Sequence, residues 1–511
     1  MTGTIRIAAL AGALASLASV ACLNPRVGVV PAPEYPRPAP PSSQIPEPRA
    51  GAVALAPGLQ AEVVISDLIY PTSLEEDERG NLYVAEGGFV YGDHWAPARI
   101  LRVDPAGELT VIADGRDGLI APVTDLLWHA GRLLVSHRGK VSAIEPGQAG
   151  LTHLVEGLPS HGDHHNNQLA ADGEGWIYVA QGTMTNAGVV GADNFLTMWV
   201  PLHPFEHDRP ARDLRLRGTS YLTANPFVMA GGEGPATART GAFAPFGMQA
   251  EGDRVAGTTK AGGTVLRFRP DGSSLEVVAW GFRNPVGLAW GADGALYAAE
   301  NGFDERGSRP IANATDDLWV VRPGAWYGWP DHSAGVPVDD PRFRPAGGPE
   351  PELLLEDPPP CETPLLSFPP HSSPGKLARS PGGRWGRGAL YLAVWGDMLP
   401  FTGERGDRPP AGPGVVRIDP ERRAWGYVVA GRGTLLDAGP RRPFDVVFSR
   451  DGAALYVVDM GAYEVLETPL PVPRPYPGTG VVWRISRPAT RVDGPPAGLS
   501  ALPGRGRARA E

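Results

Sequence analysis

The residues best suited to chemistry fall in a few short stretches. Gly162-Asp163-His164-His165-Asn166-Asn167-Gln168-Leu169, with His161 just ahead of it, puts three histidines within five positions. An imidazole titrates near neutrality and can take a proton from a hydroxyl. Three of them together also suit a transition metal, although no thiolate or carboxylate spacing supports such a site, and solvated loop histidines are the plainer reading. Gly281-Phe282-Arg283-Asn284-Pro285-Val286-Gly287 sets a permanent cation with forked donors beside an amide. The plainer reading there is a surface ion pair for Arg283 and a capped turn for Asn284. The cysteines are Cys22 and Cys361; no Cys-x-x-Cys-His occurs, so any haem partner is a separate protein. Cys361, in Pro-Pro-Pro-Cys361-Glu, is expected to be inert.

These stretches need a frame, and a repeated phrase supplies it. Gly80-Asn81-Leu82-Tyr83-Val84-Ala85-Glu86 returns around Leu133, Ile177, Leu296, Leu390 and Leu455, six copies in all. An apolar run and a turn precede each copy, as in Val286 to Trp290 before Ala292-Asp293-Gly294, which is a hairpin signal. Further strands at 99–105, 263–268, 414–420 and 480–485 supply the outer part of each unit. Sheets stacked radially bury both faces, which accounts for strands that are nearly continuously apolar. With 67 glycines, 56 prolines and 42% hydrophobic residues in 511, the chain is expected to be all-β, a six-bladed β-propeller over residues 51–487. The strand Ala61 to Ile65 is expected to close the ring on the last blade. The steps from 177 to 296 and from 296 to 390 are too long for single blades, so insertions are expected at 186–261 and 301–362, where long excursions shape a ligand mouth. The alternative is a β-sandwich with a second domain.

The ends read differently. Arg6, the short apolar run Ile7 to Val20 and Ser19-Val20-Ala21 have the order of a signal peptide over residues 1–21, implying export to the periplasm or cell envelope. Cys22 follows the cleavage site, as in bacterial lipoproteins, so lipid attachment there stands beside simple cleavage. Residues 22–50 read as a proline-rich stalk and 488–511 as a disordered tail. The formal charge of −10 is spread along the chain, and no basic stripe with interleaved aromatics exists, which argues against nucleic acid as a partner.

Gly281 to Gly287, then Leu296-Tyr297-Ala298-Ala299-Glu300-Asn301-Gly302, then Pro323-Gly324-Ala325-Trp326-Tyr327-Gly328-Trp329-Pro330 resemble, in this order, the soluble quinoprotein glucose, aldose and sorbosone dehydrogenases. The likeness runs from about Leu59 to Arg487. It implies a pyrroloquinoline quinone (PQQ) cofactor contacted by Arg283 and Asn284, with Arg442 as a further anchor near the last blade. It also implies calcium on the carbonyls of Gly302 and Phe303, where the family has proline at the second position, and His164 as the catalytic base. A sugar or related alcohol or aldehyde would be oxidised by hydride transfer to the quinone, with an external electron acceptor. The chain departs from the family in the second blade, where Ala121 to Leu126 lacks a glutamine. Trp395-Gly396-Asp397 replaces a lysine, and Phe444 replaces a second arginine. Two other readings are a binding propeller without catalysis on a lipid-anchored stalk, and a calcium-dependent lactonase-like hydrolase using Glu86, Glu300 and Asp459, which end equivalent strands.

Overall fold

The computed structural model describes residues 45–88, 96–148, 150–229, 231–404, 409–467 and 471–487. The expected signal peptide, Cys22, most of the proline-rich stalk and the tail from 488 lie outside the described residues.

Each of the six phrases forms the second strand of a four-stranded antiparallel sheet. Blade 1 is Pro71–Glu76, Leu82–Glu86, Arg99–Val103 and Leu109–Asp114; blade 2 is Val123–His129, Arg132–His137, Lys140–Ile144 and Thr152–Val155. Blade 3 is Asn166–Ala171, Ile177–Gln181, Thr264–Phe268 and Glu276–Trp280; blade 4 is Asn284–Trp290, Leu296–Asn301, Asp316–Val321 and Leu366–Phe368. Blade 5 is Pro374–Arg379, Leu390–Val394, Gly414–Asp419 and Ala424–Ala430, extended at its outer edge by Ala54–Leu55. Blade 6 is Pro443–Phe448, Ala454–Asp459 and Gly480–Ser486, and Gln60–Leu68 supplies its outer strand, pairing antiparallel with Gly480–Ser486. The ring is thus closed by a strand from the chain's beginning on the last blade, as the sequence predicts. The second strands are buried along their whole length in blades 1, 3 and 5, which is why they carry no polar alternation.

The six inner strands pack side by side in chain order, and that of blade 6 returns to that of blade 1. Each slips register near its start, between Pro71 and Ser73, Val123 and Asp125, Asn166 and Leu169, Pro285 and Gly287, Pro374 and Leu377, and Pro443 and Asp445. Such a bulge re-aims the local side chain. Lys376 Nζ of blade 5 lies 2.5 Å from Asp125 Oδ1 of blade 2 and 3.2 Å from Asp445 Oδ2 of blade 6. Blades 2 and 5 face each other across a six-membered ring, so this contact marks the propeller axis. Ser73 of blade 1 donates to Asp125 or Asp445, at 3.1 and 3.0 Å, and Gln168 of blade 3 donates 2.9 Å to Leu377 O of blade 5.

The insertion expected at 186–261 lies where the spacing places it, whereas the one expected at 301–362 is divided by Asp316–Val321, the third strand of blade 4. Residues 182–263 leave blade 3 between its second and third strands, 302–315 leave blade 4 at the same point, and 322–365 connect that blade's last two strands. They share one core that includes Val189, Leu214, Phe303, Trp326, Trp329 and Leu354. The end of the stalk joins the body: Arg49 N donates to Ala438 O at 2.8 Å, and Arg441 Nη2 to Pro46 O at 2.6 Å. No helix among the described residues is long and apolar enough to cross a membrane.

The axial group gives a direct test of the closure. Lys376→Met would strand two carboxylates in a buried channel, and breaking such a group by removing one partner costs roughly 3–5 kcal/mol. Chemical denaturation should show a loss of that order; a stability within about 0.5 kcal/mol of wild type, the range of an ordinary surface change, would contradict the structural role.

Candidate active site

The second strands all end on the face where the inner strands begin, and one device recurs there. Glu86 Oε1 accepts from Ile69 N at 2.7 Å, Glu300 Oε1 from Arg283 N, and Asp459 from Arg442 N and Arg441 N at 2.7 and 2.8 Å. The second oxygens are also engaged: Arg99 meets Glu86, Trp319 Nε1 donates 2.6 Å to Glu300, and Trp483 Nε1 donates 3.3 Å to Asp459. Burial pushes Glu300 up to about 8. Each acid therefore fastens the loop entering its own blade. None of the three is among the residues that line the cleft described next, and among the described residues no group of three or more His, Cys, Asp or Glu is placed to hold a metal.

His164, Arg283, Asn284, Gly302 and Phe303 come from blades 3 and 4 and line one cleft on this face, of about 850 Å³ with its open mouth. Arg442 is not among the lining residues. Its Nη1 donates to the carbonyls of Trp395 and Asp397 at 3.1 and 3.0 Å, and its guanidinium lies 4.4 Å from the centre of the Trp395 ring, which does line the cleft. Sequence reasoning did not single out Asn167, Asp304, Asp316 and His371, which also line it. For Asp304 a signal existed, since it stands two residues beyond Gly302 at the same strand end.

Backbone geometry sets the base of the cleft. Thr183 N donates to Arg283 O at 2.9 Å, and Thr183 O lies 2.9 Å from His164 Nδ1, so one residue fixes the histidine relative to the arginine loop. A carbonyl only accepts, which assigns the proton to Nδ1 and leaves Nε2 as the basic nitrogen. A Cβ at Gly182 would stand 2.5 Å from His164 Cβ and 2.8 Å from Asn284 Oδ1, so only glycine lets the two approach. Asn284 Oδ1 accepts from Asn167 Nδ2 at 3.0 Å, which leaves the Asn284 amide NH₂ as the donor. Gly302 is equally constrained, since a Cβ there would meet Thr315 O at 2.1 Å. Its N–H donates 2.7 Å to Asp316 Oδ1, and Ser373 N donates 2.9 Å to Asp316 Oδ2.

The cleft's electrostatics centre on two arginines. Arg283 Nη2 lies 2.7 Å from Asp304 Oδ2; Arg306 meets the same oxygen through Nε at 3.0 Å, Asp163 through Nη2 at 2.6 Å and Asp193 through Nη1 at 2.5 Å. Burial would raise Asp304, yet Arg283 and Arg306 bring it down to about 2. Burial, and then the Arg283 charge, hold His164 well below the usual imidazole value, against the opposing pull of Asp163. Burial pushes Asp316 up to about 6 against its two amide donors. Of the other histidines, His165 also lines the cleft, with Nδ1 2.9 Å from Ser160 Oγ, while His161 packs on His203 with ring centres 4.1 Å apart. Burial pushes the Cys361 thiol up to about 12, in keeping with an inert role. The wall from blades 5 and 6 is largely apolar, with Trp395, Met398, Phe444 and Met460 beside the polar His371, Ser373 and Thr402.

No curated protein matches the chain. Among solved structures, the PQQ domain of pyranose dehydrogenase from Coprinopsis cinerea, in its holo form, superposes with a TM-score of 0.52 at 17% identity, covering 86% of this chain and 98% of that one. A PQQ-bound aldose sugar dehydrogenase from Streptomyces coelicolor gives 0.47 at 16%, covering 85% and 99%. The apo aldose sugar dehydrogenase of Escherichia coli gives 0.48 at 15%, covering 84% and 99%. At these identities the first likeness bears on the fold, and it agrees with the six blades. The Glucose / Sorbosone dehydrogenase family matches residues 242–387, a stretch that holds Arg283, Asn284, Gly302 and Phe303. The chain is thus a six-bladed propeller that resembles the soluble quinoprotein sugar dehydrogenases and bears the Glucose / Sorbosone dehydrogenase pattern over residues 242–387.

Proposed function

We propose that the cleft is the active site of a PQQ-type oxidoreductase that oxidises a sugar or related alcohol or aldehyde. The observation that carries this reading is the convergence of His164, Arg283, Asn284 and the Gly302–Phe303 backbone, from two blades, on one cleft. The family match over residues 242–387 supports it from the sequence side.

The residues suit the cofactor in kind. Arg283 and the Asn284 amide are donors for ring and carboxylate oxygens, Trp395 and Phe444 give the facing wall flat apolar surface, and Gly182 keeps the space between His164 and Asn284 clear of a side chain. The carbonyl oxygens of Gly302 and Phe303 are hard ligands of the sort calcium takes, and we assign that ion to them. When bound, the quinone supplies the acceptor for the hydride that leaves the substrate carbon.

The chain's own part is proton handling and positioning. His164, protonated on Nδ1 by its bond to Thr183 O, offers Nε2 to the substrate hydroxyl and takes its proton as the carbon is oxidised. Arg283 and Asn284 orient the planar ligand, and the apolar wall of blades 5 and 6 keeps water from it. Electrons pass on to an external acceptor. Export to the cell envelope, with lipid attachment at Cys22, completes the proposal; a native chain starting at Met1 would remove export, and an unmodified Cys22 would remove the anchor.

A binding propeller without catalysis is the second reading, favoured by one observation: Trp395 and Phe444 line the cleft where the resemblance calls for cations. Reconstitution with calcium and PQQ, followed by dye reduction across a sugar panel, separates the two. Turnover is expected, and its absence with every sugar would leave the binding reading. His164→Ala should lower turnover by roughly 10²- to 10⁴-fold while quinone binding is kept, whereas Arg283→Ala should weaken quinone capture. Because His164 is held below its usual value, it stays neutral through the neutral range. kcat/KM should therefore be flat from about pH 6.5 to 8 and fall only at lower pH, where the base becomes protonated; an acid limb centred at or above about 6.5, the free imidazole value, would exclude His164 as the base.

A further inference from the structure

We infer that Asp304 competes with the cofactor's carboxylates for Arg283, so that the negative charge at this position holds the chain's affinity for PQQ down. This rests on the proposed function and concerns how its cofactor is taken up.

Among the described residues, Arg283 is the one arginine lining the cleft, and no lysine lines it. Its guanidinium is already engaged: Nη2 lies 2.7 Å from Asp304 Oδ2, Nε lies 3.2 and 3.1 Å from Asn186 O and Oδ1, and Nη1 lies 3.4 Å from Asn301 O. The Arg283 and Asp304 side chains are 3% and 10% exposed, so water screens the pair little. Asp304 cannot easily swing away. Asn186 Oδ1 accepts from its N–H at 2.9 Å, Asn186 Nδ2 donates 2.8 Å to its carbonyl, and Arg306 Nε grips the same carboxylate oxygen that Arg283 uses. Arg442 offers no relief, since it lies against the Trp395 ring with Nη1 on two backbone carbonyls. The cation facing the cleft is thus matched by a fixed carboxylate beside it. A ligand with three carboxylates that docks on Arg283 brings like charge up to Asp304 in a poorly solvated place, and such a juxtaposition costs affinity.

Removing the charge while keeping the shape should reverse this. In Asp304→Asn the amide oxygen can still accept from Arg283, and Arg306 keeps Asp163 and Asp193, so the hub that joins the insertions persists. The experiment is equilibrium titration of the purified chain with PQQ, read by tryptophan quenching, since Trp395 lines the cleft. It is run in calcium and again in EDTA, with the uncharged PQQ triester as a second probe. Asp304→Asn should tighten PQQ binding about tenfold or more in both buffers and leave triester binding unchanged, while Asp304→Glu, which keeps the charge, should bind PQQ like wild type. Equal or weaker PQQ binding by Asp304→Asn, a gain seen only with calcium, or an equal gain for the triester would overturn the inference. If no variant and no wild-type chain binds PQQ or the triester, the proposed function itself fails, and the inference with it.

Discussion

A single ammonium group on the axis joins blades that face each other across the ring. Lys376 reaches from blade 5 across the ring to Asp125 of blade 2 and sideways to Asp445 of blade 6, and Ser73 of blade 1 completes the set. All three charged side chains are at most 3% exposed, so the desolvation cost is large and is offset only while every partner is present. The inner-strand bulges lie beside this meeting point, and those of blades 1, 2, 5 and 6 carry its Ser73, Asp125, Lys376 and Asp445. Closure at this level, together with the outer strand Gln60–Leu68, fixes the number of blades. The antiparallel order repeated in each blade sends every second-strand end to the face that carries the cleft.

With the frame set, the cleft is divided by origin. Blades 3 and 4 bring the polar side, and their insertions are tied over it by Arg306, which joins Asp163 of the histidine loop, Asp193 of one insertion and Asp304 of the other. Blades 5 and 6 bring the apolar side, with Phe444 lining the cleft and Trp395 standing against the Arg442 guanidinium. A ligand held here meets hydrogen-bonding groups on one side and flat hydrophobic surface on the other, the arrangement by which pockets orient planar or ring-shaped molecules.

The fold was legible because the second strands are buried on both faces and therefore repeat as apolar phrases; the overlong steps after Ile177 and Leu296 likewise announced the insertions. His164, Arg283, Asn284, Gly302 and Phe303 were legible through local motifs, since each sits at a strand end or the loop before one. The axial set was not, because Lys376 is 251 residues from Asp125 and 69 from Asp445, and only ring closure brings them together. Asp304, Asp316 and His371 escaped for a related reason: Asp304 and His371 lie in loops without period, Asp316 opens a strand outside the repeated phrase, and their role depends on what stands opposite. The carboxylates of Glu86, Glu300 and Asp459 read as a converging set because they end equivalent strands, yet each is engaged by the amide of its own blade's entry loop.

The central claim is that one cleft holds a quinone against Arg283 and Asn284 with His164 facing the substrate. A crystal structure of the chain soaked with PQQ and calcium tests it most directly. The account predicts quinone density between the Arg283–Asn284 turn and the Trp395–Phe444 wall, within hydrogen-bond reach of the Asn284 amide, with a cation on the carbonyls of Gly302 and Phe303. Quinone bound elsewhere on the propeller, with this cleft unchanged, would contradict it.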